Sequence, residues 1–193
     1  GEDKEKITVK DGSFSREDEE NGKFYFGVIS VEYGDLNRDG KEEAVVSVIV
    51  NTGGTGNFSS GMIYTMKAGK PVVIAEFEGG DRAYGGLIKA IVENGLLVVE
   101  RASPGKDGGA CCPEFVDTSK YRLTGTKLAL LGKAVRRDLY PKTRVSFKKG
   151  TTLSTFPLTL EKNGLKRFVV GARKGQTLLF STNIDPVTAL AYD

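Results

Sequence analysis

The part of this chain best suited to a specific chemistry is a short acidic segment that leads into an apolar run. Side-chain oxygens stand at its first, third, fifth and ninth positions, in Asp35, Asn37, Asp39 and Glu43. Gly40 stands at the sixth position, and glycine permits the sharp turn that gathers such oxygens around a hard cation. The spacing therefore predicts a Ca2+ site made by these four side chains and by the backbone carbonyl of Lys41.

The residues after this acidic loop (35–43) indicate which kind of cation loop it is. Ala44–Val50 is almost wholly apolar, as in a strand covered on both faces, so a strand and not a helix follows. Val46 occupies the twelfth position, where an EF-hand has its bidentate glutamate. The match is to the loop-then-strand form of FG-GAP-like repeats, with a weak affinity on the order of 0.1–1 mM. The alternative is a tight turn whose Asp and Asn cap their own backbone, neutralised by Arg38 or Lys41.

Cysteine occurs at two adjacent positions, Cys111 and Cys112. A disulfide between them would be vicinal, and consecutive Cα atoms only about 3.8 Å apart would strain its ring. Gly108-Gly109-Ala110 before the pair and Pro113 after it would supply a tight turn. In an oxidising compartment we expect either this bond or two thiols that are free or externally paired. Zinc is not predicted, because two thiolates without histidine leave its shell unfilled.

The chain has no histidine and no tryptophan. It therefore lacks the commonest general base and the commonest transition-metal ligand, and it shows no recognisable nucleophile motif. We predict that the protein is not an enzyme. The lesser alternative is a carboxylate-dependent hydrolase, which would need two carboxylates in one cleft. The candidates for that role are Glu42, Glu43, Glu76, Glu78, Asp81 and Glu100.

Charge is divided unevenly along the chain. Residues 1–100 carry 11 Lys and Arg against 18 Asp and Glu, whereas residues 101–193 carry 17 against 7. The basic residues are densest over 133–149, as Lys133, Arg136, Arg137, Lys142, Arg144, Lys148 and Lys149. This stretch predicts contact with an acidic envelope protein or with an anionic polymer or lipid, and the alternative is a solvated face that attracts the acidic half. Nucleic acid is not predicted, because a recognisable helix or aromatic-rich binding motif is missing.

The apolar pattern predicts a mainly β fold. Strand signals lie at Lys23–Tyr33, Ala44–Val50, Met62–Lys67, Pro71–Glu78, Leu87–Val92, Leu96–Ala102, Phe115–Leu123 and Lys127–Val135. Short turns at Ala68-Gly69 and Asn94-Gly95 join neighbouring strands, so we expect antiparallel pairing, with Gly27 a candidate bulge. Short helices are predicted only at Phe14–Glu20 and Val135–Leu139.

A change of character around Tyr140-Pro141-Lys142 predicts a domain boundary. Residues 1–141 would form an antiparallel β domain that carries the acidic loop. Residues 142–193 would form a small β-sandwich-like module, too short to stand alone. Its strand signals are Arg167–Ala172, Thr177–Ser181 and Val187–Tyr192, with turns at Asn163-Gly164 and Lys174-Gly175.

Several motifs in order over residues 22–137 resemble one bacterial family. They are Gly34-Asp35-Leu36-Asn37-Arg38-Asp39-Gly40, Ala110-Cys111-Cys112-Pro113 and Tyr121-Arg122-Leu123. The family comprises secreted proteins and lipoproteins of mycobacteria and cyanobacteria, and the resemblance implies an exported location in the periplasm, in the cell envelope or outside the cell. The opening Gly1-Glu2-Asp3-Lys4 is interpreted as a trimmed end, from which a targeting segment or membrane anchor has been removed.

The C-terminal part resembles the small β-sandwich module of exported bacterial proteins. Pre-peptidase C-terminal domains and periplasmic inhibitors of g-type lysozyme are similar. The residues concerned are Val145–Gly150, Arg167–Val170 and Ala172–Leu178, with Lys174-Gly175-Gln176 as the most specific piece.

A third resemblance is confined to five residues. Ser60-Gly61-Met62-Ile63-Tyr64 is similar to the Ser-Gly-x-x-Tyr pattern of c-type lysozyme inhibitors, in which the serine enters the enzyme's cleft and a later basic residue, here Lys70, assists it. The other interpretation is a loop running into a strand, with Tyr64 packed on the sheet. The sequence thus predicts an exported, non-enzymatic binding protein of the cell envelope, stabilised by Ca2+, with a lysozyme-inhibitor-like protein as the alternative.

Overall fold

Strands separated by turns and loops make up the regular structure of the chain. A computed structural model describes residues 6–18, 22–54, 56–81, 86–106, 112–159, 165–177, 179 and 181. Within these ranges every regular element is a strand, and no helix is long and apolar enough to cross a membrane. The chain divides into unit 1, Gly1–Leu139, and unit 2, Tyr140–Asp193, whereas the sequence placed the boundary between residues 141 and 142.

The first five strands form sheet A, an antiparallel meander in chain order. They are β1 (Ser13–Asp18), β2 (Gly22–Gly34), β3 (Glu43–Asn51), β4 (Phe58–Lys67) and β5 (Lys70–Asp81). Branched and aromatic side chains fill these strands because they pack well on a pleated surface. Between β4 and β5, Ala68 and Gly69 both have positive φ, 49° and 75°, as a tight two-residue hairpin turn requires.

The next five strands form sheet B, in which one long strand pairs with three others. They are β6 (Gly86–Glu93), β7 (Leu96–Pro104), β8 (Pro113–Thr124), β9 (Lys127–Leu130) and β10 (Val135–Asp138). The order is β10-β8-β7-β6, and β9 also pairs with β8. Because β8 has 12 residues, one of its edges accommodates β9 and β10 end to end, while β7 occupies the other edge.

The core of unit 1 lies between the two sheets. Its buried apolar residues are Leu36, Val45, Ile63, Ile74, Ala75 and Phe77 from the sheet A side, and Ala90, Leu97, Val99 and Leu123 from sheet B. Arg101 of β7 adds a polar link, since its guanidinium donates to the backbone carbonyl of Glu78 on β5. The predicted mainly β, antiparallel, sandwich-like fold is confirmed.

The face of sheet A that meets sheet B, its inner face, depends on two glycines. Gly61 of β4 lies against the ring of Phe77, and a methyl group at position 61 would overlap that ring. Gly34 at the end of β2 stands in the same relation to Val92 of β6. Both glycines therefore allow large side chains to fill the space between the strands and the sheets.

Both helix predictions are wrong, because the segments concerned are strands. Residues 14–20 include most of β1, in which Phe14 pairs with Phe26 of β2. Residues 135–139 contain β10, in which Val135 pairs with Thr118 of β8. Segments this short form no stable helix on their own, whereas a preformed neighbouring strand offers them a ladder of hydrogen bonds.

Two details within strands also differ from the prediction. The single strand expected at Lys127–Val135 is divided into β9 and β10. The bulge of β2 is not at Gly27, which pairs in register with Ile49, because the register shift lies between Val28 and Ser30. Neither detail changes the fold class.

Unit 2 contains a short parallel pair of strands among its described residues. Here β11 (Lys142–Val145) pairs with β12 (Arg167–Val170). Parallel pairing is possible because more than a dozen residues connect them. The predicted turn at Lys174-Gly175 is confirmed, with the Gln176 backbone N–H donating to the Arg173 carbonyl at 3.1 Å.

Other predictions for unit 2 fare differently. The strand expected at Thr177–Ser181 is wrong for the three of those residues that are described, which have no strand assignment. Asn163-Gly164 and Val187–Tyr192 lie outside the described residues.

Candidate functional site

The acidic loop is held by its own side-chain oxygens. The two carboxylate oxygens of Asp35 accept hydrogen bonds from the backbone N–H groups of Asp39 (3.1 Å) and Gly40 (3.0 Å). Asn37 Oδ1 also accepts from the Asp39 N–H at 2.8 Å, and Asp39 Oδ1 accepts from the Lys41 N–H at 2.8 Å. These bonds are the Asx-type caps that the sequence analysis named as its alternative.

Glu43 is the buried anchor of this loop. It is the first residue of β3, and none of its surface is exposed. Its Oε2 accepts from the backbone N–H of Leu36 at 3.0 Å and of Asn37 at 3.4 Å, while Oε1 accepts from Asn37 Nδ2 at 2.9 Å. Leu36, in the middle of the polar loop, is inserted into the apolar core. The loop is therefore fixed by a buried carboxylate on one side and an apolar plug on the other.

The residues of the acidic loop fit Ca2+ in the type of their donors. Asn37 Nδ2 donates to Asp39 Oδ2 at 3.3 Å as well as to Glu43. The carboxylates of Asp39 and Glu43 therefore converge on the same side-chain NH₂ group. Among the described residues, those of the acidic loop included, no group of three or more Asp, Glu, Cys or His side chains is placed to hold a metal ion. Only the donor types match Ca2+, and the ligand set of Asp35, Asn37, Asp39, Glu43 and the Lys41 carbonyl stays a prediction.

The predicted vicinal disulfide involves a residue without a description. Cys111 lies outside the described residues, and Cys112 is exposed. The bond between Cys111 and Cys112 stays a prediction.

The lysozyme-inhibitor pattern is divided between two places. Ser60 and Tyr64 lie on the face of β4 turned away from sheet B, where the Tyr64 hydroxyl donates to Met62 Sδ at 3.4 Å. Lys70 lies at the hairpin end, opposite Lys67. Lys67 comes seven positions after Ser60 in β4, a distance of about 23 Å at the usual strand rise. The structure therefore does not bring Ser60 and Lys70 together.

The candidate carboxylates are spread over several surfaces. Glu43 lies on the inner face of sheet A, and Glu76 and Glu78 lie exposed on its outer face, the one turned away from sheet B. Glu100 lies on the face of sheet B turned away from sheet A. Glu42 is exposed within the acidic loop, and the side chain of Asp81 is outside the description.

Two arginines of the basic stretch are engaged within unit 1. Arg136 makes a bidentate pair with Asp117, both N···O distances being 2.7 Å, and donates to Ser103 Oγ at 2.9 Å. The hydrogen bonds from Arg136 hold the pKa of Asp117 below its usual range, against the opposing effect of partial burial. Arg137 pairs with Glu100 at 2.9 Å. These two arginines therefore stabilise sheet B.

The remaining cations of this stretch belong mainly to unit 2. The described residues of unit 2 carry eight Lys and Arg and no Asp or Glu. They are Lys142, Arg144, Lys148, Lys149, Lys166, Arg167, Arg173 and Lys174. Such a concentration of one sign raises the local concentration of anionic partners.

Arg144 and Lys166 line a groove of about 540 Å³ in unit 2, the basic groove. Phe156 and Phe168 also line it, with ring centroids 5.0 Å apart and planes tilted by 44°. Hydroxyl groups are supplied by Thr143, Ser146, Ser154 and Thr159. The basic groove therefore combines two cations, an aromatic pair and several neutral hydrogen-bonding groups.

Sequence reasoning missed the basic groove because its lining comes from three separate segments. Arg144 lies in β11 and Ser146 directly after it, Ser154 and Phe156 lie in the connection, and Lys166 and Phe168 lie directly before and within β12. The signal in the sequence was the excess of Lys and Arg over Asp and Glu in residues 140–193, nine against three. It identifies a basic unit but does not say which cations surround an apolar surface.

Comparison of the chain with protein-family models, with curated proteins and with solved structures found no match. The geometry of the two units is therefore the basis for a functional proposal.

Proposed function

We propose that this protein is an exported, non-enzymatic binding protein of the bacterial cell envelope whose unit 2 attaches to an anionic polymer. The observation that carries the proposal is the charge of unit 2, which has nine Lys and Arg against three Asp and Glu in its sequence, eight of the cations lying in its described residues. A surface with such an excess of cations repels itself, and an anionic partner relieves that repulsion.

The lining of the basic groove favours a polymer of acidic sugar units as the ligand. Arg144 and Lys166 supply charge for carboxylate or phosphate groups, and Arg in particular can bind them in a bidentate manner. Phe156 and Phe168 offer apolar surface to the faces of sugar rings, while Ser146 and Ser154 offer hydrogen bonds to hydroxyl groups. A volume of about 540 Å³ lies within the ordinary range of ligand sites.

The distribution of carboxylates supports binding in preference to hydrolysis. A glycosidase needs two carboxyl groups that flank one bond. In unit 1, Glu43, Glu76 and Glu100 lie on three different sheet faces. Glu76 and Glu78 share a face, but both are exposed on the outside of sheet A.

Unit 1 has a supporting role in this proposal. Its acidic loop would take up Ca2+ through Asp35, Asn37, Asp39, Glu43 and the Lys41 carbonyl, and the ion would neutralise the carboxylates there. Extracellular calcium is abundant enough for a weak site, which agrees with an exported location.

Affinity electrophoresis of the full chain tests the proposal. Polygalacturonate serves as the carboxylated sugar polymer, poly(glycerol phosphate) as the phosphorylated polymer, and dextran as the neutral control. We expect retardation by an anionic polymer and not by dextran, weakening about tenfold as NaCl rises from about 50 to about 300 mM. Absence of retardation by either anionic polymer at low salt would overturn the proposal.

Paired variants test the role of the basic groove. Arg144→Gln with Lys166→Gln should weaken binding about tenfold or more, because both charges inside the groove are removed. Lys148→Gln with Lys149→Gln removes the same charge from unit 2 outside the groove lining and should have a smaller effect. Equal losses in the two variants would mean that charge alone, and not the groove, determines binding.

A further inference from the structure

The outer face of sheet A is unusually apolar for a sheet face that is exposed to solvent. Tyr33 and Met66 on this face are 64% and 61% exposed, and Val31 and Phe58 are exposed as well. The register places these residues in rows across the sheet, for example Val31–Val46–Met62. An antiparallel sheet with one face in water normally has polar residues on that face. An apolar face of this kind is typical of an interaction surface.

Sheet B covers only the other face. Val45, Ile63 and Phe77 of sheet A pack against sheet B. Within the described part of unit 1, the elements that contact sheet A all belong to sheet B, and Val46 lies on the opposite side of β3 from Val45. Val48, also on the outer side of β3, is only 2% exposed, so the most exposed apolar residues of this face lie on the flanking strands β2 and β4.

We infer that the outer face of sheet A is an interface between two copies of this chain. Five strands spaced by about 4.8 Å, with a nine-residue β3, present a face of about 24 by 30 Å, or roughly 700 Å². A stable interface buries about 800 Å² on each partner. A sheet face of this extent matches what a dimer needs, and two such faces pack directly at about 10 Å.

The charges at the edges of the outer face suit a two-fold arrangement. Glu76 and Glu78 are on β5 at one side of the sheet, and Arg16 is on β1 at the other. A two-fold axis parallel to the strands lays β5 of one copy over the β1 side of the second copy. The carboxylates of the two copies then face the arginine side instead of each other. The interface does not depend on the proposed binding of anionic polymers.

The test is the mass of the chain in solution, measured by light scattering after size exclusion over about 1–200 µM. The expected mass is twice the 20.8 kDa of one chain. Tyr33→Lys and Met66→Lys should each raise the dissociation constant of the dimer about tenfold or more, because each substitution places a lysine ammonium group in an apolar interface. Val135→Lys is the control, because Val135 is 69% exposed on β10 of sheet B.

Each outcome decides the inference. A dimer that both outer-face variants weaken, while Val135→Lys leaves it intact, supports the interface. A monomer at every concentration overturns it. A dimer that survives both outer-face variants, or that Val135→Lys disrupts equally, also overturns it, because the contact then lies elsewhere. Circular dichroism of each variant verifies that the strands are retained.

Discussion

Glu43 and Glu100 are both almost entirely removed from water, with 0% and 9% of their surface exposed, yet the chain gives them different partners. Glu43 accepts hydrogen bonds from neutral groups, namely two backbone N–H groups and the Asn37 amide. Glu100 is held by cations, Arg137 at 2.9 Å and Lys89 at 3.7 Å, with the Thr118 hydroxyl nearby. One carboxylate is therefore a part of the backbone architecture and the other is half of a charge pair.

The difference determines what happens when either carboxylate is lost. The donors around Glu43 belong to Leu36 and Asn37, which are fixed in place by the fold and cannot turn to water. The donors around Glu100 stand at the ends of long side chains that are themselves about half exposed. An unsatisfied buried donor costs more than a cation that regains its water.

The largest expected effect comes from Glu43→Ala. The buried N–H group of Leu36 and the partly buried N–H group of Asn37 lose their acceptor and a cavity opens beside Leu36, so we expect a loss of about 3 kcal/mol in the free energy of unfolding. Urea unfolding followed by circular dichroism measures it. Glu42→Ala, at the exposed neighbouring position, is the control and should stay within about 0.5 kcal/mol of wild type. Similar values for the two variants would contradict the anchoring role of Glu43.

The next effect separates the two carboxylates by their response to Ca2+. At about 5 mM Ca2+ we expect a stabilisation of about 1 kcal/mol, seen as a rise of a few degrees in Tm by differential scanning fluorimetry. Mg2+ should do less, because it demands octahedral geometry. Asp35→Ala with Asp39→Ala should abolish the rise, whereas Glu100→Gln should leave it unchanged. A wild-type Tm that is the same in EDTA and in Ca2+ would leave the acidic loop as a self-capped turn.

Glu100→Gln is expected to have a smaller effect, about 1 kcal/mol or less in urea unfolding. Arg137 and Lys89 lose their partner but can turn to solvent. The variant should also be less sensitive to salt than the wild type, because the screened pair has been removed. A loss as large as that of Glu43→Ala would show that the cations around Glu100 are as rigidly placed as the donors around Glu43.

The smallest effect extends the comparison to Asp117, which pairs with an arginine as Glu100 does but is less deeply buried. Arg136 lowers the pKa of Asp117 in the folded state, so the stabilisation is complete above the unfolded pKa of about 3.9. It is lost as the pH falls through the lower, folded value. Between about pH 5 and pH 2, the Tm of the wild type should therefore fall more steeply than that of Asp117→Asn, by a degree or two. Parallel Tm curves would contradict this origin of acid sensitivity.

Much of the β architecture could be predicted from the sequence, because strand and turn signals are local. The hairpins at Ala68-Gly69 and Asn94-Gly95 lie where positive φ values are found, and β3 follows the acidic loop as expected. The strands β1 and β10 could not be predicted from the sequence, since β1 forms a strand only beside β2 and β10 only beside β8. A neighbour far along the chain determines the state of such short segments.

The acidic loop was predicted in its position but not in its internal roles. The spacing of Asp35, Asn37 and Asp39 identifies an oxygen-rich turn whether a cation or the backbone is the partner. The burial of Leu36 could have been inferred, because an apolar residue inside a polar loop indicates insertion into a core, whereas the burial of Glu43 against its backbone is visible only in the structure. The basic groove could not, since sequence distance carries no information on how three segments of unit 2 meet.

Gly61 beneath Phe77 sets a limit on how this chain can drift during evolution. Any other residue at position 61 displaces an aromatic ring from the core, so selection for stability alone preserves the glycine. Ser60, on the opposite face of β4, is under no such constraint. Descendants of this chain should therefore retain the glycine of the Ser-Gly-x-x-Tyr string after its serine has been replaced.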